Sequence, residues 1–84
     1  MTPTQYAVLK FIYDYHRDHD GGLPTSIAVQ KATARSEITV LRAIQYLDAQ
    51  GFLQWGRAKL GRPKAGTEHT INVVLTGKDL PPPP

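Results

Sequence analysis

Cysteine is absent from the 84 residues, so neither a disulfide framework nor a cysteine-based zinc site is possible. Long hydrophobic runs are absent too. The longest apolar stretch falls far short of the ~20 residues that a membrane-spanning helix needs, and the N-terminus lacks the basic-then-apolar order of a secretory signal. The expectation is a soluble protein of the cytoplasm, associated there with the nucleoid, and making no membrane contact. No glycine-rich loop precedes a helix to cradle a phosphate, and no nucleophile is spaced with a base. His16, His19 and His69 are the only histidines. His16 and His19, beside Asp20, have a spacing that metal sites use, but the polar end of a helix accounts for them as well. The chain is therefore read as a binding module and not an enzyme, with no metal, no other cofactor and no small-molecule ligand.

Eighty-four residues with 40% hydrophobic content allow one small core. There is no internal repeat and no sign of a second domain: residues 1–80 form the domain and 81–84 a short polyproline tail. Net charge is only +3, but its distribution is uneven. Residues 1–54 hold five basic and five acidic side chains, whereas Arg57, Lys59, Arg62 and Lys64 fall close together with no acid among them. The excess charge therefore lies in one segment, as expected for a local contact with a polyanion.

Helical periodicity and its punctuation define three helices. Thr2 caps the first, Pro3 suits its first turn, and Gln5 occupies the reciprocal capping-box position. Val8, Leu9, Ile12 and Tyr15 or His16 recur on one face, while Lys10, Asp14, Arg17 and Asp18 face mainly outward. The helix fails near residues 18–20 and Gly21-Gly22 ends it. Leu23-Pro24 is an extended connector, Thr25 or Ser26 caps a short second helix over residues 27–32, and Thr33-Ala34-Arg35 turns the chain. Ser36 opens the third helix, over residues 36–50, which stops at Gly51 in a left-handed cap. Val40, Ala43, Ile44 and Leu47 form its core side. Ile38, Arg42, Gln45 and Ala49 point away, with Leu41 and Tyr46 on the flanks. Residues 52–55 and 70–75 read as antiparallel strands, joined by a long basic wing over residues 56–69. Residues 76–80 lead out of the fold. The fold class is mainly α with a small β-hairpin: a winged helix-turn-helix, three helices with a two-stranded wing.

The outer face of the third helix carries the chemistry. A helix fits the major groove, where Arg42 can make a bidentate contact to guanine and Gln45 the matching pair to adenine. Thr39, Leu41 and Tyr46 complete the expected base contacts, and Ile38 or Leu41 can meet a thymine methyl. Thr25, Ser26, Arg35 and Ser36 are expected at phosphates, through hydroxyls and backbone N–H groups at helix starts. Arg57, Lys59, Arg62 and Lys64 are expected to meet the minor groove or the backbone. Gly61-Arg62-Pro63 with its basic neighbours resembles the core of an AT-hook, although Leu60 stands where that motif has arginine. Narrow A·T minor grooves concentrate negative potential and attract arginine. The helix face and the wing must then project from the same side. Glu37 and Asp48 count against phosphate contact, since both repel it.

Thr2-Pro3-Thr4-Gln5, Val8-Leu9, Phe11-Ile12, Asp14, Leu23-Pro24-Thr25, Ile27-Ala28, Arg35-Ser36, Leu47 and Gly51-Phe52-Leu53 together resemble the N-terminal DNA-binding domain of the LexA repressor family, over roughly residues 2–55. The stretch Thr39-Val40-Leu41-Arg42-Ala43-Ile44 also resembles the general winged-helix regulator pattern of bacterial and phage repressors. The resemblance implies a three-helix bundle with a two-stranded wing. It implies operator binding through the helix beginning near Ser36, with Ser36, Glu37, Thr39, Leu41 and Arg42 reading bases. These residues include no counterpart of that family's linker, self-cleavage site or serine–lysine peptidase, so the expectation includes neither autocleavage nor the usual dimer interface. The expected function is a small sequence-specific regulator on double-stranded DNA, alone or as a homodimer on adjacent half-sites. A single module this size binds on the order of micromolar at moderate salt. The first rival is a protein-interaction module using Ile38, Leu41, Tyr46 and Trp55 as an apolar patch on a protein partner. The second is a single-strand or RNA binder that stacks bases on Tyr46 and Trp55.

Overall fold

Helix α1 (Pro3–Asp18) starts as its sequence dictates. In the computed structural model, which describes residues 1–56 and 71–84, the Gln5 N–H donates to Thr2 Oγ1 at 3.1 Å and the Thr2 N–H to Gln5 Oε1 at 2.8 Å. This closed capping box satisfies two donors that a helix start leaves unpaired. Val8, Leu9 and Ile12 are buried, and Tyr15 and His16 are half-buried at the edge. On the outer face Lys10 reaches Asp14 at 2.8 Å, and Arg17 reaches Asp14 at 3.4 Å and Asp18 at 3.1 Å. That hydrogen-bonded pair raises the Lys10 pKa and lowers that of Asp14. Asp20 and Gly21, both with positive φ, then reverse the chain.

Helix α2 (Ser26–Thr33) is one residue longer at each end than the periodicity indicates. Thr25 is its cap, accepting from the Ala28 N–H at 3.0 Å, so Ser26 becomes the first helical residue. Thr33 stays helical and its hydroxyl donates back to the Val29 carbonyl at 2.8 Å. The turn therefore shifts to residues 34–36. Ala34 takes the left-handed conformation (φ 55°, ψ 40°), and the Arg35 N–H donates to the Gln30 carbonyl at 3.1 Å, the six-to-one bond of a helix that ends through a left-handed residue.

Helix α3 (Glu37–Ala49) is capped by Ser36, whose Oγ accepts the Thr39 N–H at 3.3 Å. Ser36 and Gln50 flank the helix and are not part of its body, because capping needs extended backbone at Ser36. Val40, Ala43, Ile44 and Leu47 are buried. They close one aliphatic core with Val8, Leu9, Ile12, Val29, Leu53, Ile71 and Val73. Gly51, at φ 81°, makes the turn into the sheet.

Strands β1 (Leu53–Trp55) and β2 (Val73–Leu75) pair antiparallel in the register Leu53↔Leu75, Gln54↔Val74, Trp55↔Val73. Gly56 adds a rung, its N–H donating to the Asn72 carbonyl at 2.8 Å, while the Asn72 amide donates back to the Gly56 carbonyl. Both strands are shorter than expected. Phe52 belongs to the turn, and the Ile71 N–H bonds instead to the Pro24 carbonyl at 2.9 Å. That bond ties the sheet to the buried Pro24 of the α1–α2 connector. The body is mainly helical with a small hairpin. No described helix is long and apolar enough to cross a membrane.

The structure corrects one expectation about topology. Residues 76–80 do not lead out of the fold; they turn back over the end of α3, where unpaired helix carbonyls offer acceptors. Lys78 Nζ donates to the Gln50 carbonyl at 3.0 Å and the Tyr13 hydroxyl donates to the Lys78 carbonyl at 2.7 Å.

Candidate nucleic-acid interface

Every third or fourth residue of α3 points either into the core or straight out. With the first set buried, Ile38, Arg42, Gln45 and Ala49 form an exposed stripe along the opposite side. Among the described residues neither Arg42 nor Gln45 has a side-chain partner, so the guanidinium and the amide are both available for bidentate contacts. Ile38 is 58% exposed beside them, an apolar group available to a methyl. Glu37 and Asp48 are the acids of this helix; Glu37 is exposed at its first turn and Asp48 half-buried near its end.

The flanking residues differ from that stripe. Thr39 is half-buried and tied to the cap, with the Ser36 hydroxyl donating to Thr39 Oγ1 at 3.1 Å. Leu41 and Tyr46 are half-buried, and Tyr46 packs against the core. Trp55 also packs against the core. The four-residue apolar patch of Ile38, Leu41, Tyr46 and Trp55 is therefore not formed as expected. Leu41, Tyr46 and Trp55 are half-buried, and only Ile38 stands out in solvent. The physical reason is size. Among the described residues the core is eleven buried aliphatic side chains, too few to cover the rim without the aromatics at its edge.

At the helix starts, Thr25 and Ser36 have their oxygens engaged by helix N–H groups. Their first-turn N–H groups are nonetheless oriented outward along the helix axis, which favours anions. Ser26 Oγ accepts from Gln30 Nε2 at 3.1 Å. Arg35 is exposed, and its Nε–H donates to Thr4 Oγ1 at 3.3 Å. This brings the turn before α3 next to the start of α1. Sequence reasoning placed Arg35 at a phosphate but had no signal for its α1 partner, because a 31-residue separation leaves no local pattern.

Arg57, Lys59, Arg62 and Lys64, with the remainder of the 57–70 segment, lie outside the described residues. What is described are the two points where that segment departs and returns, Gly56 and Ile71. Among the described residues no cluster of three histidine, cysteine or carboxylate side chains is placed to hold a metal. His19 instead stacks on Tyr15, with ring centroids 3.8 Å apart, and its Nδ1–H donates to the Tyr15 carbonyl at 3.0 Å. An open depression of about 580 Å³ is lined by Tyr13 and His16 of α1, Leu23 of the connector, Val73 and Leu75 of β2, and Lys78.

No protein-family model matches this chain, and neither the curated proteins nor the solved structures contain a match to it.

Proposed function

We propose that this chain is a small winged helix-turn-helix protein that binds double-stranded DNA sequence-specifically and regulates transcription, in the manner that its resemblance to the LexA repressor DNA-binding domain implies. Helix α3 enters the major groove. Arg42 and Gln45 read base edges, Ile38 and Leu41 meet thymine methyls, and Thr39 lies at the rim of the contact. Arg35, the first turn of α3 at Ser36 and the first turn of α2 at Thr25 and Ser26 hold the phosphates. The cations of residues 57–64 supply sequence-independent attraction from the minor groove or backbone.

One observation supports this reading best. The outer stripe of α3 is exposed along its length, and its two bidentate-capable side chains, Arg42 and Gln45, lie on it without intramolecular partners among the described residues. Helices α2 and α3 pack against each other across the short turn through Ala34, which supports a helix-turn-helix. Against a protein-docking function, Leu41, Tyr46 and Trp55 are half-buried, so Ile38 is the one exposed member of that set.

Selection of bound sequences from a random duplex pool at low salt tests the reading. An enriched motif of a few base pairs supports it, and two inverted copies at fixed spacing would reveal a dimer. Recovery of unenriched sequence, or preference for single strands in competition, defeats it.

A further inference from the structure

The chain after β2 makes a set of directional bonds that the core alone does not require. Gly77, at φ 90°, bends the chain back. Just before it, the Thr76 hydroxyl lies 2.6 Å from the Gly51 carbonyl and 3.0 Å from that of Phe52, and the Thr76 N–H donates to the Phe52 carbonyl at 3.3 Å. Just after it, Lys78 Nζ donates to the Gln50 carbonyl at 3.0 Å and stands 5.1 Å from the centroid of the Phe52 ring. Leu80 then packs against the rim of the core.

The physical logic is that of a helix C-terminus. The last carbonyls of α3 have no intrahelical partner and form the negative end of the helix dipole, so an ammonium placed there meets both needs. Helix α3 has no basic residue in its own last turn; Lys78 supplies the charge from 28 residues away. The same residue reaches α1, because its carbonyl accepts from the Tyr13 hydroxyl at 2.7 Å. Lys78 thus bridges α1 and the end of α3. At the other end of α3, Arg35 bridges to Thr4 at the start of α1.

We infer that residues 76–80 act as a clasp that fixes the tilt of α3 on α1, with Tyr13 and Lys78 as positioning residues for the exposed stripe of Arg42 and Gln45. The functional half of this inference rests on the duplex-binding reading; the mechanical half does not. Aliphatic packing between α1 and α3 is non-directional and leaves a helix free to roll or tilt slightly. Hydrogen bonds at both ends are directional and remove that freedom. Bidentate base contacts lose strength steeply with misalignment, whereas phosphate contacts by long cationic side chains tolerate it. Releasing the clasp therefore reduces discrimination between sequences more than it reduces total binding.

The test uses the full chain and a Tyr13→Phe/Lys78→Met double variant that keeps side-chain volume. Because the chain has no cysteine, Lys10→Cys and Ala49→Cys introduce two nitroxide labels at exposed sites on α1 and α3. Their distance distribution is expected to be narrow in the parent and broader in the double variant. An unchanged distribution overturns the clasp whether or not the protein binds DNA. Without labels, the ratio of affinities for a selected and a scrambled duplex is expected to fall about tenfold, the discrimination of one bidentate contact, while binding to the scrambled duplex changes less than about twofold. A ratio that does not move, with both proteins folded, overturns the positioning role, since simple destabilisation lowers both affinities together. A parent that binds no duplex sinks the duplex reading and leaves the label arm to decide the clasp. If the double variant fails to fold, Tyr13→Phe alone, which removes one hydroxyl, carries both arms.

Discussion

At Ala34 the backbone ends α2 in the left-handed region, at φ 55°, where a residue with a Cβ lies roughly 1–2 kcal/mol above its right-handed well. Glycine avoids that clash but loses more freedom on folding, about 0.5–1 kcal/mol. The balance favours glycine, and Ala34→Gly is expected to stabilise the protein by up to about 1 kcal/mol, seen as a higher urea midpoint at unchanged slope. Asp20 shares the region at φ 49° but belongs to a residue type that tolerates it, so Asp20→Gly should change little and serves as the control. Tyr13 gives a second residue-scale expectation. Burial first, and then the nearby Asp79, raise its pKa, so the fold holds this proton more tightly than the unfolded chain does. The corresponding stability is fully present below the ordinary tyrosine range and is lost as pH rises through the raised value. Melting temperature should fall on the alkaline side, and less so in Tyr13→Phe, which has no proton to lose there. On the proposed reading, Arg42 is the residue on which recognition turns. Arg42→Ala should cost about 1–3 kcal/mol on the preferred duplex and much less on random sequence, with stability unchanged; equal loss on both duplexes would remove it from base reading.

Elements differ in how plainly their sequences announce them. Helices α1 and α3 were legible because each carries its own punctuation: Thr2 with Gln5, Ser36 with Thr39, and a glycine beyond each end. The buried stripe of Val40, Ala43, Ile44 and Leu47 followed from period alone. Periodicity ends the second helix too early because a threonine at its end, Thr33, satisfies its hydroxyl within the helix, and no local pattern distinguishes that from a turn. The return past β2 is hidden in the sequence for a different reason. A lysine and a threonine after a strand look like a solvated exit until the distant carbonyls of Gln50, Gly51 and Phe52 are known to need donors. For the site, the exposed positions of α3 could be read from the helical period, but the covering of Tyr46 and Trp55 could not, because it depends on how little core there is to share. Ser36 separates folding from recognition within one element. Aspartate caps about as well as serine and suits the dipole, so Ser36→Asp should keep stability within a few tenths of a kcal/mol. It should nonetheless weaken duplex binding severalfold, by setting an anion where a phosphate is proposed to dock. Loss of stability in step with loss of binding would mean that Ser36 only caps.

At the scale of the whole molecule the question is where the attraction for a polyanion resides. On α1, Lys10 and Arg17 are each within ion-pairing distance of Asp14 or Asp18, and Lys78 is engaged at the end of α3. These three cations are poorly placed to displace counterions from DNA. Helix α2, the turn after it and α3 also offer Lys31, Arg35 and Arg42, opposed by Glu37 close by in sequence. Arg57, Lys59, Arg62 and Lys64 carry more positive charge than the net +3 of the whole chain, and the remaining residues are slightly acidic on balance. If those four cations each neutralise a phosphate, the logarithm of affinity should fall with the logarithm of salt at a slope of about −3 to −4. Replacing all four by glutamine should flatten the slope toward zero on random duplex while leaving the order of preference among selected duplexes intact, because the proposed base reading belongs to α3. Arg62→Ala alone should weaken all sequences similarly, or remove only a bias toward A·T-rich flanks, and lower the slope by about one. Titrations by fluorescence anisotropy over a range of potassium chloride concentrations measure all three quantities on the same probes. A slope near zero in the parent would take the basic segment out of the binding mechanism and leave α3 to account for affinity alone, which a module of this size does not achieve beyond weak binding.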